Sequence, residues 1–533
     1  MRFNRLAEPV KRLLQTASVI GQDGAVSLLR TLWEEPSNPE VQLAEGTSQA
    51  FCTIQAESGE PRFRFTHGLI HDVVYNSLEA SERQRLHAAV LHVLEKNIES
   101  KPASIAHLLA WHATHSQQAT AAIRYLTEMA EQAAGQFAHA EATQCVQEAQ
   151  TLVRSLPQSQ QQTCRLDLLL RQAQSLIAMQ RWQEVIDLLA PQHPQLTQVT
   201  DASLAARHAL LLSQASSGLG DWERATRHAQ HALETATACQ DDAAIEQAYA
   251  VLAEACYGSG RPLLGIDYSR QAIALLRAPV ASSRRATAQL LLGLNALLLG
   301  EVTMALEAAS EADTIATALR EPPLQTAAAW LLGWIHATRG ASGEGIAACQ
   351  RSLDCAADPL NTAFALGWLG YAYLEHHDPA AAIPKLEQAV QQIRQWRYPR
   401  MEGLHTAFVA EALLAQEQFD TAYERAQQAF NQCQATTYAF GMGWAQRVLG
   451  RIALASGKRT VGQQHLADAL ATFAALPARF EMGRTHLALA TAYAPEHRNP
   501  AIQHATEAYQ LFQSLHVQPY VEQAARVTRE VGV

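Results

Sequence analysis

The chain has 533 residues, 48% of them hydrophobic and 17% charged, with Ala, Leu and Gln abundant, so it has room for several domains and a large helical core. A formal net charge of −10 and a pI near 6.1 argue against a nucleic-acid binder, which carries a basic surface to displace phosphate counterions. The first thirty residues have no signal-peptide pattern, the most apolar run (288–300) is too short to span a bilayer, and the eight cysteines form no C-x-x-C pair, so a cytoplasmic, reducing setting without membrane, disulfide or zinc is expected.

In chain order, residues 6–21 (LAEPVKRLLQTASVIG) predict a helix closed by Gly21. DGAVSLLRTLWEE predicts a second helix with Asp23 near its N-cap, and PEVQLAEGTSQAF a third. FCTIQAESGEPRFRF then predicts two short strands around a Ser-Gly-Glu-Pro turn. Three helices and a two-stranded wing over residues 1–78 make a winged helix. Residues 1–100 hold ten Lys/Arg against thirteen Asp/Glu, and the third helix has no cation, which argues against DNA reading. A helical linker follows over 79–117.

The block from Phe65 to His112 resembles the segment that joins the ATPase module to the repeats in STAND proteins, the signal-transduction ATPases with numerous domains. The matching residues are Phe65, His67, Tyr75, Ser77, Leu78, Arg83, Leu86, His87, Leu109, Ala110 and His112. The resemblance places His67 at the histidine of an M-H-D motif, which contacts ADP, with Thr66 and Gly68 in place of Met and Asp. His67 is therefore the nucleotide-sensor candidate. A phosphate-cradling G-x-x-x-x-G-K-[ST] loop is missing; SGKRT (456–460) has Arg459 where Ser or Thr should hold magnesium. The expectation is a truncated or split gene whose ATPase module is supplied elsewhere, with no nucleotide or other cofactor held by this chain.

From residue 118 to 515 a repeat takes over. The residue two after each turn glycine, or its equivalent, is Phe137, Trp182, Trp222, Pro262, Val302, Ser342, Pro379, Phe419, Arg459 and about Asn499. After a first gap of 45 each step is 40, except one of 37. A fixed period with two helices per unit is a solenoid signature, because one helix pair cannot bury its own apolar face. Leu292-Gly293, Leu332-Gly333, Leu369-Gly370 and Leu449-Gly450 put a large residue beside one without a side chain, and Ala225, Ala305, Ala382 and Ala422 are the small residues of the second helices. This resembles the tetratricopeptide repeat, in the long form of MalT-like regulators. The resemblance implies an all-α, right-handed superhelical solenoid of about ten helix pairs, closed by a capping helix within 516–533.

The tetratricopeptide resemblance also implies a concave groove lined by the first helices. Counted back from the turn, its positions are Trp330, Trp334, Phe364, Tyr371, Leu374, Trp444, Arg447 and Arg451, which are expected to face a protein or peptide partner. His107, His112 and His115 are read as packing histidines rather than a metal site. RQWRYPR (394–400) is read as a solvated connection with Trp396 tucked in. No catalytic motif appears, so a non-enzymatic scaffold, the partner-binding arm of a STAND-type ATPase, is favoured. The alternatives are a regulatory fragment of a cyclase, kinase or ATPase, and a MalT-like transcription regulator without its DNA-binding domain.

Overall fold

A computed structural model of the chain describes residues 2–35, 38–55, 60–96, 102–196, 201–276, 282–356, 359–396, 398–494 and 497–532. It divides into two compact units, Met1–Val199 and Thr200–Val533. Among the described residues no helix is long and apolar enough to cross a membrane.

The first unit opens with helices Glu8–Ile20, Val26–Leu32 and Pro39–Ser48. The second starts later than its sequence suggests, because Asp23–Ala25 forms a strand. It pairs antiparallel with Arg62–Phe65, which pairs on its other side with Cys52–Gln55, giving a three-stranded sheet rather than a two-stranded wing. Two contacts explain the capture. Arg62 Nη2 reaches Asp23 Oδ2 at 2.8 Å, and Gly24 has no Cβ to collide with the Phe63 ring, which would lie 2.9 Å away. The Ser58-Gly59 half of the expected turn lies outside the described residues. Phe63 and Phe65 point into a core with Leu13, Leu14, Leu29 and Val74, and Arg62 and Arg64 face outward, as strand alternation requires.

Helices Ala80–Lys96 and Pro102–His115 follow, then two helix pairs: Ala119–Gly135 with His139–Leu152, and Gln158–Ala178 with Trp182–Leu189. The first gap of 45 arises here, from a 3-10 turn at Val153–Ser155 and a first helix of 21 residues.

The second unit is an all-α tetratricopeptide-like array. Its second helices begin at Trp222, Pro262, Val302, Ser342, Pro379, Phe419, Arg459 and Arg498, so the periodic register marks helix starts, off by one only at the last. Two residues before each of the first seven starts the backbone is left-handed, at Gly220, Gly260, Gly300, Gly340, His377, Glu417 and Gly457. Asp221 and Asp378 then cap their helices by accepting from the N–H of Arg224 and Ala381. The step of 37 follows a second helix of 14 residues, Ser342–Cys355.

Packing follows the small residues. A Cβ on Gly450 would lie 3.0 Å from the Gly462 carbonyl, so the two helices of that pair touch backbone to backbone. Ala225, Ala305, Ala382 and Ala422 are fully buried. Helix Gln518–Gly532 packs against the preceding helix Arg498–Ser514. Contacts within this unit also skip along the array: Arg479 Nη1 lies 3.1 Å from Glu301 Oε1, and Pro519 covers Gly340.

Candidate functional site

The eight residues expected to line a groove separate into two sets. Trp334, Tyr371, Trp444 and Arg447 are buried, at 4%, 1%, 0% and 2% exposure. Facing solvent in an open groove is therefore corrected for these four. Consecutive first helices lie close enough that aromatic rings fill the space between them. Trp334 stacks on Trp368 with centroids 3.9 Å apart, Tyr371 meets Phe408 at 5.4 Å, and Phe408 meets Trp444 at 4.7 Å. Trp330, Phe364, Leu374 and Arg451 remain half-buried and line two cavities of about 340 Å³ each.

The first cavity is charged. Its wall carries Leu374, Glu375, Glu411, Arg447, Arg451, Arg484 and Tyr520. Glu411 is the hub. Its carboxylate accepts from Trp444 Nε1 at 2.7 Å and from Arg451 Nη1 at 2.5 Å, with Arg484 Nη2 at 3.4 Å. Burial by itself would raise the Glu411 carboxyl, but Arg484, Arg451 and Arg447 together outweigh it and hold its pKa down at about 2. Arg447 pairs with Glu481, and Arg484 Nη2 reaches Glu375 Oε1 at 3.1 Å. Helix Gln518–Gly532 sends Tyr520 into the network, where its hydroxyl donates to Glu375. Three arginines thus meet three glutamates, each pair drawn from different helices.

The second cavity is largely apolar. Trp222, Tyr257, Leu291, Trp330, Phe364 and Tyr398 line it, together with one cation, Arg400, and one acid, Glu254. Trp330 stacks on Trp368 at 6.1 Å, and Phe364 meets Tyr398 edge-on at 5.8 Å. The Arg400 guanidinium sits over the rings of Tyr438, Trp222 and Tyr257 at 4.0, 4.7 and 5.3 Å. Sequence reading passed over Arg400 and Glu254. The one signal was the alternation of cations and aromatics in RQWRYPR, whose Trp396 is 44% exposed rather than tucked in, while Arg400 at 6% takes the buried place. Arg397 lies outside the described residues.

In the first unit His67 is exposed at the N-cap of helix Gly68–Asn76, directly after strand Arg62–Phe65, with no side-chain capping bond. The other motif residues turn inward, except Ser77, which is exposed. The Tyr75 hydroxyl lies 2.9 Å from His87 Nε2, and His87 Nδ1 lies 2.9 Å from His112 Nδ1. Arg83 covers the Tyr75 ring at 4.5 Å and donates to the Leu78 carbonyl, while Ser77 accepts from Gln15 Nε2. Burial first, then the neighbouring imidazoles, push His87 down to about 3 and His112 down to about 4, so both rings are neutral at physiological pH. Leu86, Leu109 and Ala110 are buried around them. Among the described residues no group of three His, Cys, Asp or Glu is placed to hold a metal ion.

No protein-family model matches the chain, and no curated protein matches it. Solved structures do. A Rap protein complexed with competence and sporulation factor aligns with a TM-score of 0.52 at 11% identity, over 68% of this chain and 99% of that one. The quorum sensor NprR from B. thuringiensis aligns at 0.48 and 11% identity, over 66% and 98%. A STAND protein with a tetratricopeptide repeat sensor from Pyrococcus horikoshii aligns at 0.39 and 15% identity, over 88% of this chain and 63% of that one. At such identities the likeness to the Rap protein speaks for the fold, a tetratricopeptide-like helical array.

Proposed function

We propose that the chain is a non-enzymatic interaction scaffold, the sensor and partner-binding arm of a STAND-type signalling ATPase, with residues 1–78 as a winged helix that docks on the nucleotide module. The observation that carries the scaffold reading is the pair of cavities along the first helices. Half-buried Trp330, Phe364, Leu374 and Arg451 line them, where aromatic and Arg side chains supply most of an interface's energy. The similarly folded Rap protein is complexed with competence and sporulation factor, which supports a ligand-holding role for such an array. The STAND assignment rests on the run of motif residues from Phe65 to His112 and on the exposed place of His67 at a helix start, where a phosphate would be favoured.

The test compares wild type with Phe364→Ala/Arg451→Ala in affinity capture from the native cytosol, with bound proteins identified by mass spectrometry. Loss of a specific partner with helicity and cooperative unfolding retained is the expected result; identical capture by both would remove the cavities from the interface. His67→Ala should leave the fold intact and weaken association with a co-expressed ATPase module loaded with ADP. Unchanged association would detach His67 from the sensor role.

A further inference from the structure

The apolar cavity holds an arginine that interacts with the Tyr438 hydroxyl but is paired with no carboxylate. Arg400 is 6% exposed, yet its Nε and Nη2 have no hydrogen-bond partner, and among the described residues no carboxylate forms an ion pair with it. Three aromatic rings cover the faces of the guanidinium and leave its edges. Nε and Nη2 form one such edge, the fork that takes both oxygens of a carboxylate. Elsewhere this protein uses the same edge in that way. Arg181 Nε and Nη2 each bond one oxygen of Glu184 at 2.6 Å, and Arg85 Nε and Nη2 hold the two oxygens of Glu82 at 2.9 and 2.8 Å. At Arg400 the fork is vacant, and leaving it buried without an acceptor is costly.

We propose that the cavity around Arg400 is a binding site for a small organic acid, whose carboxylate takes the Nε–Nη2 fork and whose aromatic or alkyl body lies against Trp222, Trp330 and Phe364. Three observations favour this class. The wall is mostly aromatic and aliphatic, and a volume of about 340 Å³ lies at the small end of ligand pockets, which suits a compact apolar body. The unpartnered groups are donors: besides Arg400, the buried Trp330 indole N–H has no acceptor, so the missing partner is rich in acceptors. The cavity's own acid forms no ion pair with the cation, and burial pushes the Glu254 carboxyl up to about 7 even though Arg400 pulls it down, so near neutral pH it is only partly charged. The charged cavity differs: its three arginines already meet Glu375, Glu411 and Glu481, and what stays unpartnered there is one nitrogen each of Arg447 (Nη2) and Arg484 (Nη1), not an Nε–Nη2 fork.

The experiment titrates the full chain with 3-phenylpropionate and octanoate, and with the amide of each, by calorimetry and tryptophan fluorescence. Both acids should bind saturably, and each amide about tenfold or more weaker, because it lacks the charge that doubles the strength of the forked bonds. Arg400→Lys keeps the charge and loses the fork, so it should weaken the acids by a similar factor. Should that variant fail to fold, the comparison of acid with amide on the wild-type chain decides. Equal binding of acid and amide, or no saturable binding of either acid at millimolar concentration, overturns the proposal. Binding of acetyl-Leu-Phe with a free C-terminus in place of both small acids would give the cavity to a peptide end and overturn it as well.

Discussion

His405 offers a direct measure of how completely the array interior is closed to water. Its side chain is fully buried between Trp368 and Phe408, its ring lies where a Cβ on Gly367 would sit, and neither ring nitrogen has a partner. Burial holds its pKa down at about 3, against 6.5 for an exposed imidazole. In the unfolded chain the ring takes a proton below pH 6.5, while in the folded chain it stays neutral until about pH 3. Between these values the unfolded state binds more protons, so stability falls as pH falls. At pH 5 the loss from this one group is about 2 kcal/mol, from one pKa unit being worth about 1.4 kcal/mol. The perturbation is His405→Leu, which removes the titration and two unpartnered nitrogens. Urea unfolding followed by tryptophan fluorescence, at pH 7.5 and pH 5.0, gives the double difference, in which titrations shared by both chains, such as those of His486 and Glu254, cancel. Wild type should lose about 2 kcal/mol more than His405→Leu on acidification. Equal losses would mean that water or a proton donor reaches His405, and would refute the closed interior.

Trp334→Ala should cost about 3–5 kcal/mol in urea unfolding, because it empties the space against Trp368 and Phe440; a cost below about 1 kcal/mol would show that the ring faces solvent. Glu411→Gln keeps the acceptor for Trp444 but removes the negative charge between Arg451 and Arg484. It should destabilise by about 3 kcal/mol or more, as breaking one side of a buried ionic network does. A melting temperature equal to wild type would place that network in water.

The repeat was legible because its cause is local. A left-handed turn residue, a helix start two positions on, and small residues where helices cross recur with the period of one helix pair, so the starts at Trp222, Pro262, Val302, Ser342, Pro379, Phe419 and Arg459 could be read directly from spacing. The same holds for His67 at a strand end, since alternation and a turn place it. The strand at Asp23–Ala25 was not legible, because three residues acquire that conformation only by pairing with a segment some forty positions away. The candidate site was legible only in part. Helical periodicity identifies which residues share a face, and Trp330, Trp334, Phe364, Tyr371, Leu374, Trp444, Arg447 and Arg451 lie on the first helices of their pairs. Whether such a face stays open depends on the distance and tilt between successive pairs, which no single unit encodes.

Those distances set burial, and burial sets the chemistry. Arg400 rests on Trp222 at 4.7 Å, from 178 positions away, and Glu375 meets Arg484 and Tyr520 from more than a hundred. Sequence alone determined the helices and their pairing, because these follow from periods of a few residues and of forty. The tertiary structure alone decided which of those side chains fill the core and which were left lining cavities, and that Arg400 would be enclosed with its fork unfilled. The curl of the array brings together residues whose separation along the chain carries no local signal.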